Sequence, residues 1–304
     1  MLPGFFLSKN KDNSMYYGSY VALITPFQQG KVDETALRKL VDFHVESGTQ
    51  GLVPVGTTGE ASTLSSAEHK RVVDIVVEQC AGRIPVIAGA GSNNPTEALE
   101  YARHAQHAGA DAVLCVAGYY NRPSQEGLYQ HFKYIHDNIE IGMIIYNIPP
   151  RAIVDVLPQT MQRLASLERV VGVKDATADL ARVSFERQLI EGQFSYFSGE
   201  DMTAVGYNAM GGSGCISVTA NVAPRHCAKL QQACRNGDYN LAQKLQQQLL
   251  PLHQALFLEP SPAGVKYAAS LIGLCDANVR LPIVDVCEQS KKAIRQALFS
   301  LQLI

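Results

Sequence analysis

Lys174 closes the apolar run Val170-Val171-Gly172-Val173. A lysine ending a buried strand would hold its amine among apolar walls. There desolvation disfavours the ammonium and frees the amine to attack a carbonyl. A surface lysine just past a strand end fits the same letters. Tyr146 ends a second such run, Met143–Tyr146, and Arg151 follows five residues later across Asn147-Ile148-Pro149-Pro150. A phenol in that place can pass protons within a hydrogen-bonded relay. An arginine fixed by two prolines suits a carboxylate through paired hydrogen bonds, although alone it fits a surface ion pair. Gly56-Thr57-Thr58-Gly59-Glu60 is a Gly-bounded turn whose amides can hold an anion and whose hydroxyls can join a relay. An ordinary helix-capping turn is the alternative there.

Other chemistries lack their residues. Gly89-Ala90-Gly91 has no third glycine of a dinucleotide fingerprint. His104 and His107 share a polar helix face with no third ligand in reach, and no H-E-x-x-H, G-x-S-x-G or P-loop occurs. The cysteines at 80, 115, 215, 227, 234, 275 and 287 are odd in number and form no C-x-x-C, which favours buried reduced thiols in a cytoplasmic protein over disulfides or zinc. Lys plus Arg is 26 against 28 Asp plus Glu, so no basic excess exists for nucleic acid. Apolar runs stop well short of the roughly 18–20 residues that cross a bilayer.

These residues need a scaffold that brings strand ends together. Short runs rich in Val and Ile recur at Tyr20–Thr25, Gly51–Val55, Pro85–Ala90, Ala112–Cys115, Met143–Tyr146, Val170–Lys174, Phe194–Ser198 and Gly214–Val218. Amphipathic stretches such as Asp33–Ser47, Ser66–Cys80, Pro95–Ala108, Glu126–Asn138 and Asp179–Ile190 alternate with them. Eight βα units in succession predict a (β/α)8 TIM barrel, with chemistry at the C-terminal strand ends. Tyr239–Leu258, Gly264–Gly273 and Val286–Gln302 predict a C-terminal helical appendage. The expected division is an extension at 1–18, a barrel at 19–236 and helices at 237–304. Met1–Ser14 reads as a frayed extension with Met15 a candidate start, since Phe5-Phe6-Leu7 is too short for a signal-peptide core.

With these residues in place, the chain resembles the dihydrodipicolinate synthase family from about Gly18 to its C-terminus. The resemblance rests on Gly56–Glu60, the block YYNRPSQEGLYQHF at 119–132, Tyr146–Arg151, Val173-Lys174 and Gly214–Asn221. It implies a metal- and cofactor-free class I aldolase reaction in lysine and diaminopimelate biosynthesis. Lys174 would form a Schiff base with pyruvate, and the derived enamine would attack L-aspartate 4-semialdehyde. The resemblance further implies a proton relay of Tyr146, Thr57 and Tyr120, the last donated across a tight dimer interface. Thr57 and Thr58 amides would hold the pyruvate carboxylate, Arg151 the carboxylate of the second substrate, and Gly199 and Ile216 would line the pyruvate end. It implies a homotetramer built from two dimers, and a feedback site for L-lysine at Ser62, His69, Asn93, Glu97 and Tyr119. Three positions depart from the family pattern: Ala152-Ile153 replaces the frequent Thr-Gly, Ser261-Pro262-Ala263-Gly264 replaces Asn-Pro-x-Pro, and Ser66 replaces a frequent histidine. The competing readings are a lyase for N-acetylneuraminate or a 2-keto-3-deoxy sugar acid, which would need hydroxyl-binding groups where Arg151 stands, and a noncatalytic keto-acid-binding barrel.

Overall fold

Strands buried on both faces can hydrogen-bond only to one another, and eight of them do so in parallel. They are β1 (Gly18–Ala22), β2 (Gly51–Val53), β3 (Ile87–Gly89), β4 (Ala112–Val116), β5 (Gly142–Asn147), β6 (Val170–Asp175), β7 (Ser195–Ser198) and β8 (Gly214–Ser217). The computed structural model describes residues 16–304 and gives the order β2-β1-β8-β7-β6-β5-β4-β3. Met1–Ser14 and Met15 lie outside the described residues. A Leu52–Val86 bridge closes the ring, helped by Leu52 N–H donating to Pro85 O at 2.9 Å and Gly89 N–H to Pro54 O at 3.0 Å. The fold is the expected (β/α)8 barrel.

Alternation along each strand sorts side chains into two cores. Tyr20, Ile87, Leu114, Ile144, Tyr146, Phe197 and Ile216 fill the barrel interior. Met143, Ile145 and Val173 face outward onto the helices. Full burial of such side chains stabilises by about 1.5–3 kcal/mol each. Tyr20 sits level with Gly51, where an added Cβ would lie 2.0 Å from its Cε1, so only glycine fits beside that ring. Tyr16 packs edge-on against Tyr20, which packs edge-on against Phe197, and these rings plug the N-terminal end.

Eight helices surround the ring: α1 (Glu34–Glu46), α2 (Ser66–Cys80), α3 (Pro95–Ala108), α4 (Gln125–His136), α5 (Pro158–Ala165), α6 (Leu180–Leu189), α7 (Ala204–Ala209) and α8 (Pro224–Arg235). Their starts are set by local chemistry. Asp33 caps α1 by accepting from Ala36 N–H, Ser65 and Glu68 form a reciprocal capping box on α2, and Asn94 caps α3 ahead of Pro95. Helices α9 (Tyr239–Leu256), α10 (Ala263–Leu271) and α11 (Glu288–Ser300) follow and pack on α8 and on one another. None of the described helices is long and apolar enough to cross a membrane.

Some elements lay outside the sequence reading. A hairpin pairs Phe27–Gln28 with Lys31–Val32 around Gln29 and Gly30, both at positive φ. The helices α5 and α7 are too short for a clear 3.6 period. His104 Nε2 donates to Asp74 Oδ1 at 2.8 Å and His107 is exposed, as a solvated helix face requires. None of the seven cysteines is bonded to another.

Candidate active site

Lys174 is inward-facing on β6, paired in register with Tyr146 on β5 and Phe197 on β7. It is 5% exposed, and its Nζ lies 4.3 Å from the centroid of the Tyr146 ring. Gly199 follows β7 and donates its N–H to Asp175 O at 2.6 Å. A Cβ at Gly199 would stand 3.2 Å from Lys174 Cε, so the glycine makes room for the lysine stem. Ile216 is fully buried on β8 within the same inner core.

The Gly56–Glu60 turn leaves β2 through Val55, which takes φ +48, a strained choice for a β-branched residue. Glu60 N–H donates to Thr57 O at 3.1 Å, Ala61 N–H to Gly56 O at 3.3 Å, and Thr25 Oγ1 donates to Gly59 O at 2.7 Å. These bonds fix the turn without using the Thr57 and Thr58 amides, which have no acceptor among the described residues. Thr57 is exposed and Thr58 is buried.

Arg151 stands on a single helical turn, Pro149–Ala152, with its side chain exposed. The turn ends at Ile153, whose φ is +66. At that position the family pattern has glycine, which adopts such a conformation without cost. Tyr120 also takes positive φ and is 88% exposed, so its ring stands clear of its own subunit.

A cavity of about 520 Å³ opens at this end of the barrel. Thr57, Tyr146, Ile148 and Arg151 line it together with Ser62, His69, Glu97, Tyr101 and Tyr119, whereas Lys174, Thr58, Gly199 and Ile216 are not among its lining residues. Four of the five residues expected at a lysine site therefore share it. Asn93 does not: its carbonyl accepts from Asn121 Nδ2 at 3.0 Å, and it borders a separate groove. Ser92 Oγ donates to Glu97 Oε2 at 2.5 Å, and Tyr101 OH donates to Glu97 Oε1 at 3.5 Å. His69 stacks on Tyr101 at 3.9 Å, and burial pushes its imidazole down to about 4, so the ring is neutral. Tyr101 escaped the sequence reading, although its place four residues after Glu97 on α3 puts both on one helix face.

Behind Lys174 lies a second polar cluster. Arg182 on α6 donates to Asp155 at 2.9 Å and to Glu186 at 3.1 Å, with Asp175 at 3.9 Å. Asn147, next to Tyr146, donates to Asp155 at 2.7 Å. Burial pushes the Asp175 carboxyl up and that of Glu186 up to about 7.

Comparison with known proteins agrees with this geometry. Residues 15–301 match the model of the dihydrodipicolinate synthetase family. The chain is 57% identical over 290 residues to a 4-hydroxy-tetrahydrodipicolinate synthase of Parvibaculum lavamentivorans, covering 95% of this chain and all of the relative. Its fold matches the pyruvate-complexed, chloride-inhibited dihydrodipicolinate synthase of Acinetobacter baumannii with a TM-score of 0.93 and 42% identity, over 95% of this chain and 100% of that one. The lysine-bound enzyme of Cyanidioschyzon merolae matches with a TM-score of 0.93 and 30% identity, over 96% and 100% of the two chains. The chain belongs to the dihydrodipicolinate synthetase family.

Proposed function

We propose that the chain condenses pyruvate with L-aspartate 4-semialdehyde to 4-hydroxy-tetrahydrodipicolinate, in lysine and diaminopimelate biosynthesis. The observation that carries the reading is Lys174, a buried lysine at a barrel strand end with its amine against Tyr146. The amine attacks pyruvate C2 and water leaves, giving an imine. The imine nitrogen then accepts the electrons released when a methyl proton departs, and an enamine forms. Its carbon attacks the semialdehyde carbonyl. The amino group of that substrate next attacks the imine carbon, closes the ring and releases Lys174.

Tyr146 and Thr57 carry protons in these steps, completed by the partner subunit's Tyr120; the exposure of Tyr120 on its own subunit supports that arrangement. The free amides of Thr57 and Thr58 receive the pyruvate carboxylate, Arg151 receives that of the semialdehyde, and Gly199 and Ile216 border the pyruvate end. The part of the cavity lined by Ser62, His69, Glu97 and Tyr119 takes L-lysine as a feedback inhibitor, without Asn93, which borders the separate groove; a relative of the same fold is known with lysine bound. The working assembly is a homo-oligomer, a tetramer of two tight dimers. Its compartment is the cytoplasm, in keeping with seven unpaired cysteines.

Borohydride reduction in the presence of pyruvate tests the first step: mass spectrometry should find the adduct on Lys174, and Lys174→Ala should abolish it. Product assay with pyruvate and the semialdehyde, beside N-acetylneuraminate cleavage, tests the substrate. Labelling of a different lysine, or cleavage of the sugar acid alone, would overturn the reading.

A further inference from the structure

The anion-holding turn ends on a residue the chemistry above does not use. Glu60 is 4% exposed and has φ +57, so its backbone takes the left-handed conformation that L-residues rarely adopt. Its side chain turns away from the cavity and is used on both oxygens. Oε1 accepts from Lys266 Nζ at 2.7 Å, and Oε2 accepts from Arg280 N–H at 2.9 Å. Lys266 lies on α10 and is fully buried, with Nζ 4.0 Å from the centroid of the Phe27 ring.

The same C-terminal segment also grips the stretch after the turn and the hairpin at Phe27–Gln28 and Lys31–Val32. The Arg280 guanidinium donates to Thr63 O at 3.1 Å, to Glu68 at 2.6 and 2.9 Å, and to Gly30 O at 2.8 Å. Asn278 Nδ2 donates to Phe27 O at 3.3 Å. A fully buried lysine that gave up its hydration must be matched by a fixed carboxylate, and such a pair tolerates little displacement. We infer that Lys266, acting through Glu60, is a positioning residue that sets where the Thr57 and Thr58 amides stand. The inference rests on the reading of those amides as the pyruvate-carboxylate site. The C-terminal helices then belong to the substrate site although they contribute no atom to its lining.

Burial pushes the Lys266 ammonium down while the Glu60 carboxylate holds it up. The charged and titratable groups around Glu60 are Lys266, Arg280 with its partner Glu68, and the half-buried Cys275 thiol near Lys266. Removing the ammonium leaves Glu60 buried without its cation, which frees the turn to shift while Lys174 stays in place. That gives the positioning role a signature that mere loss of packing lacks.

The test uses the full chain with the semialdehyde saturating and pyruvate varied. Lys266→Met should raise the KM for pyruvate by about 10- to 100-fold, the range expected when a binding group is misplaced by up to an ångström. Trapping at saturating pyruvate should still label Lys174. The kcat should stay near that of the wild type, so that the loss falls on the KM for pyruvate and not on turnover. The double variant Glu60→Gln/Lys266→Met has no buried charge left to match, so it serves if the single variant does not fold. It should show the same raised KM with kcat kept. A folded variant of either kind with the wild-type KM for pyruvate overturns the inference. So does a folded variant that is not labelled on Lys174 at saturating pyruvate, because Lys266 would then act in the chemistry itself. If the wild-type chain is not labelled on Lys174, the functional reading falls instead.

Discussion

One methyl group added at Gly199 measures how closely the lysine is held. An ideal Cβ there lies 2.9 Å from Ala176 Cβ, 3.1 Å from Asp175 O and 3.2 Å from Lys174 Cε. Ordinary carbon–carbon contact begins at about 3.5 Å, so the alanine contact is short by about 0.6 Å and the lysine contact by about 0.3 Å. The backbone cannot easily yield, because β6 and β7 are paired at Lys174–Phe197 and Asp175–Ser198 and Gly199 itself donates to Asp175 O. The lysine stem must therefore move, and Nζ moves with Cε. Gly199→Ala should lower stability by about 1–3 kcal/mol, the usual cost of overpacking a core. Attack on a carbonyl needs reacting atoms about 3–3.5 Å apart, so a shift of a few tenths of an ångström should slow imine formation by about tenfold. The assay is the rate of borohydride trapping on Lys174 against pyruvate concentration, with thermal unfolding of the same preparation. A variant that is trapped and melts like the wild type refutes the reasoning, because it would show the stem is not confined there.

Three further outcomes are expected. Arg151→Ala should raise the KM for the semialdehyde and spare pyruvate trapping; a lost charge-assisted pair costs about 1.5–3 kcal/mol, and equal damage to both substrates would refute the assignment. Glu97→Ala should abolish inhibition by lysine and its binding by calorimetry while turnover persists, because Glu97 is held ready by Ser92 and Tyr101. Glu186, ordinarily near 4.5, is pushed up to about 7 by burial, so the folded chain keeps a proton that the unfolded chain has released between those values. Its stabilising contribution is present below about 4.5 and lost as pH rises through about 7, so Glu186→Gln should gain about 1–3 kcal/mol at alkaline pH, measured by urea unfolding on both sides of that window.

Where the sequence is locally determined, it reads well. Val170–Lys174 was expected as a strand because it is apolar throughout, and the strand runs one residue further to Asp175. The helices expected at Asp33–Ser47, Ser66–Cys80 and Pro95–Ala108 form at Glu34–Glu46, Ser66–Cys80 and Pro95–Ala108. The first strand was expected at Tyr20–Thr25 but is Gly18–Ala22. Leu23 and Ile24 stay buried beyond the ladder, with Ile24 N–H bonded to Asn221 Oδ1 at 3.0 Å, so hydrophobicity outlasts the strand. Thr57, Tyr146 and Arg151 could be assigned to one mouth because the barrel gathers strand ends. The Glu60–Lys266 pair joins residues 206 apart, and no periodicity or spacing announces a contact of that range. Tyr101 was hidden differently: an aromatic ring on an amphipathic helix ordinarily reads as packing.

Around the cylinder every neighbouring strand pair shares at least two register-matched residues except β2 and β3, which meet at the single Leu52–Val86 bridge. The barrel thus has a seam. Amides along it, those of Leu52 and Gly89 included, should exchange with solvent sooner than those of β5 and β6, because fewer bonds must open together to release them. On one side of the seam hang the Gly56–Glu60 turn, Ser62 and His69; on the other hang Ser92, Glu97 and Tyr101. Any small molecule that ties His69 to Glu97 therefore works as a stitch across the least-sewn part of the wall. It would quiet the breathing of the Gly56–Glu60 turn.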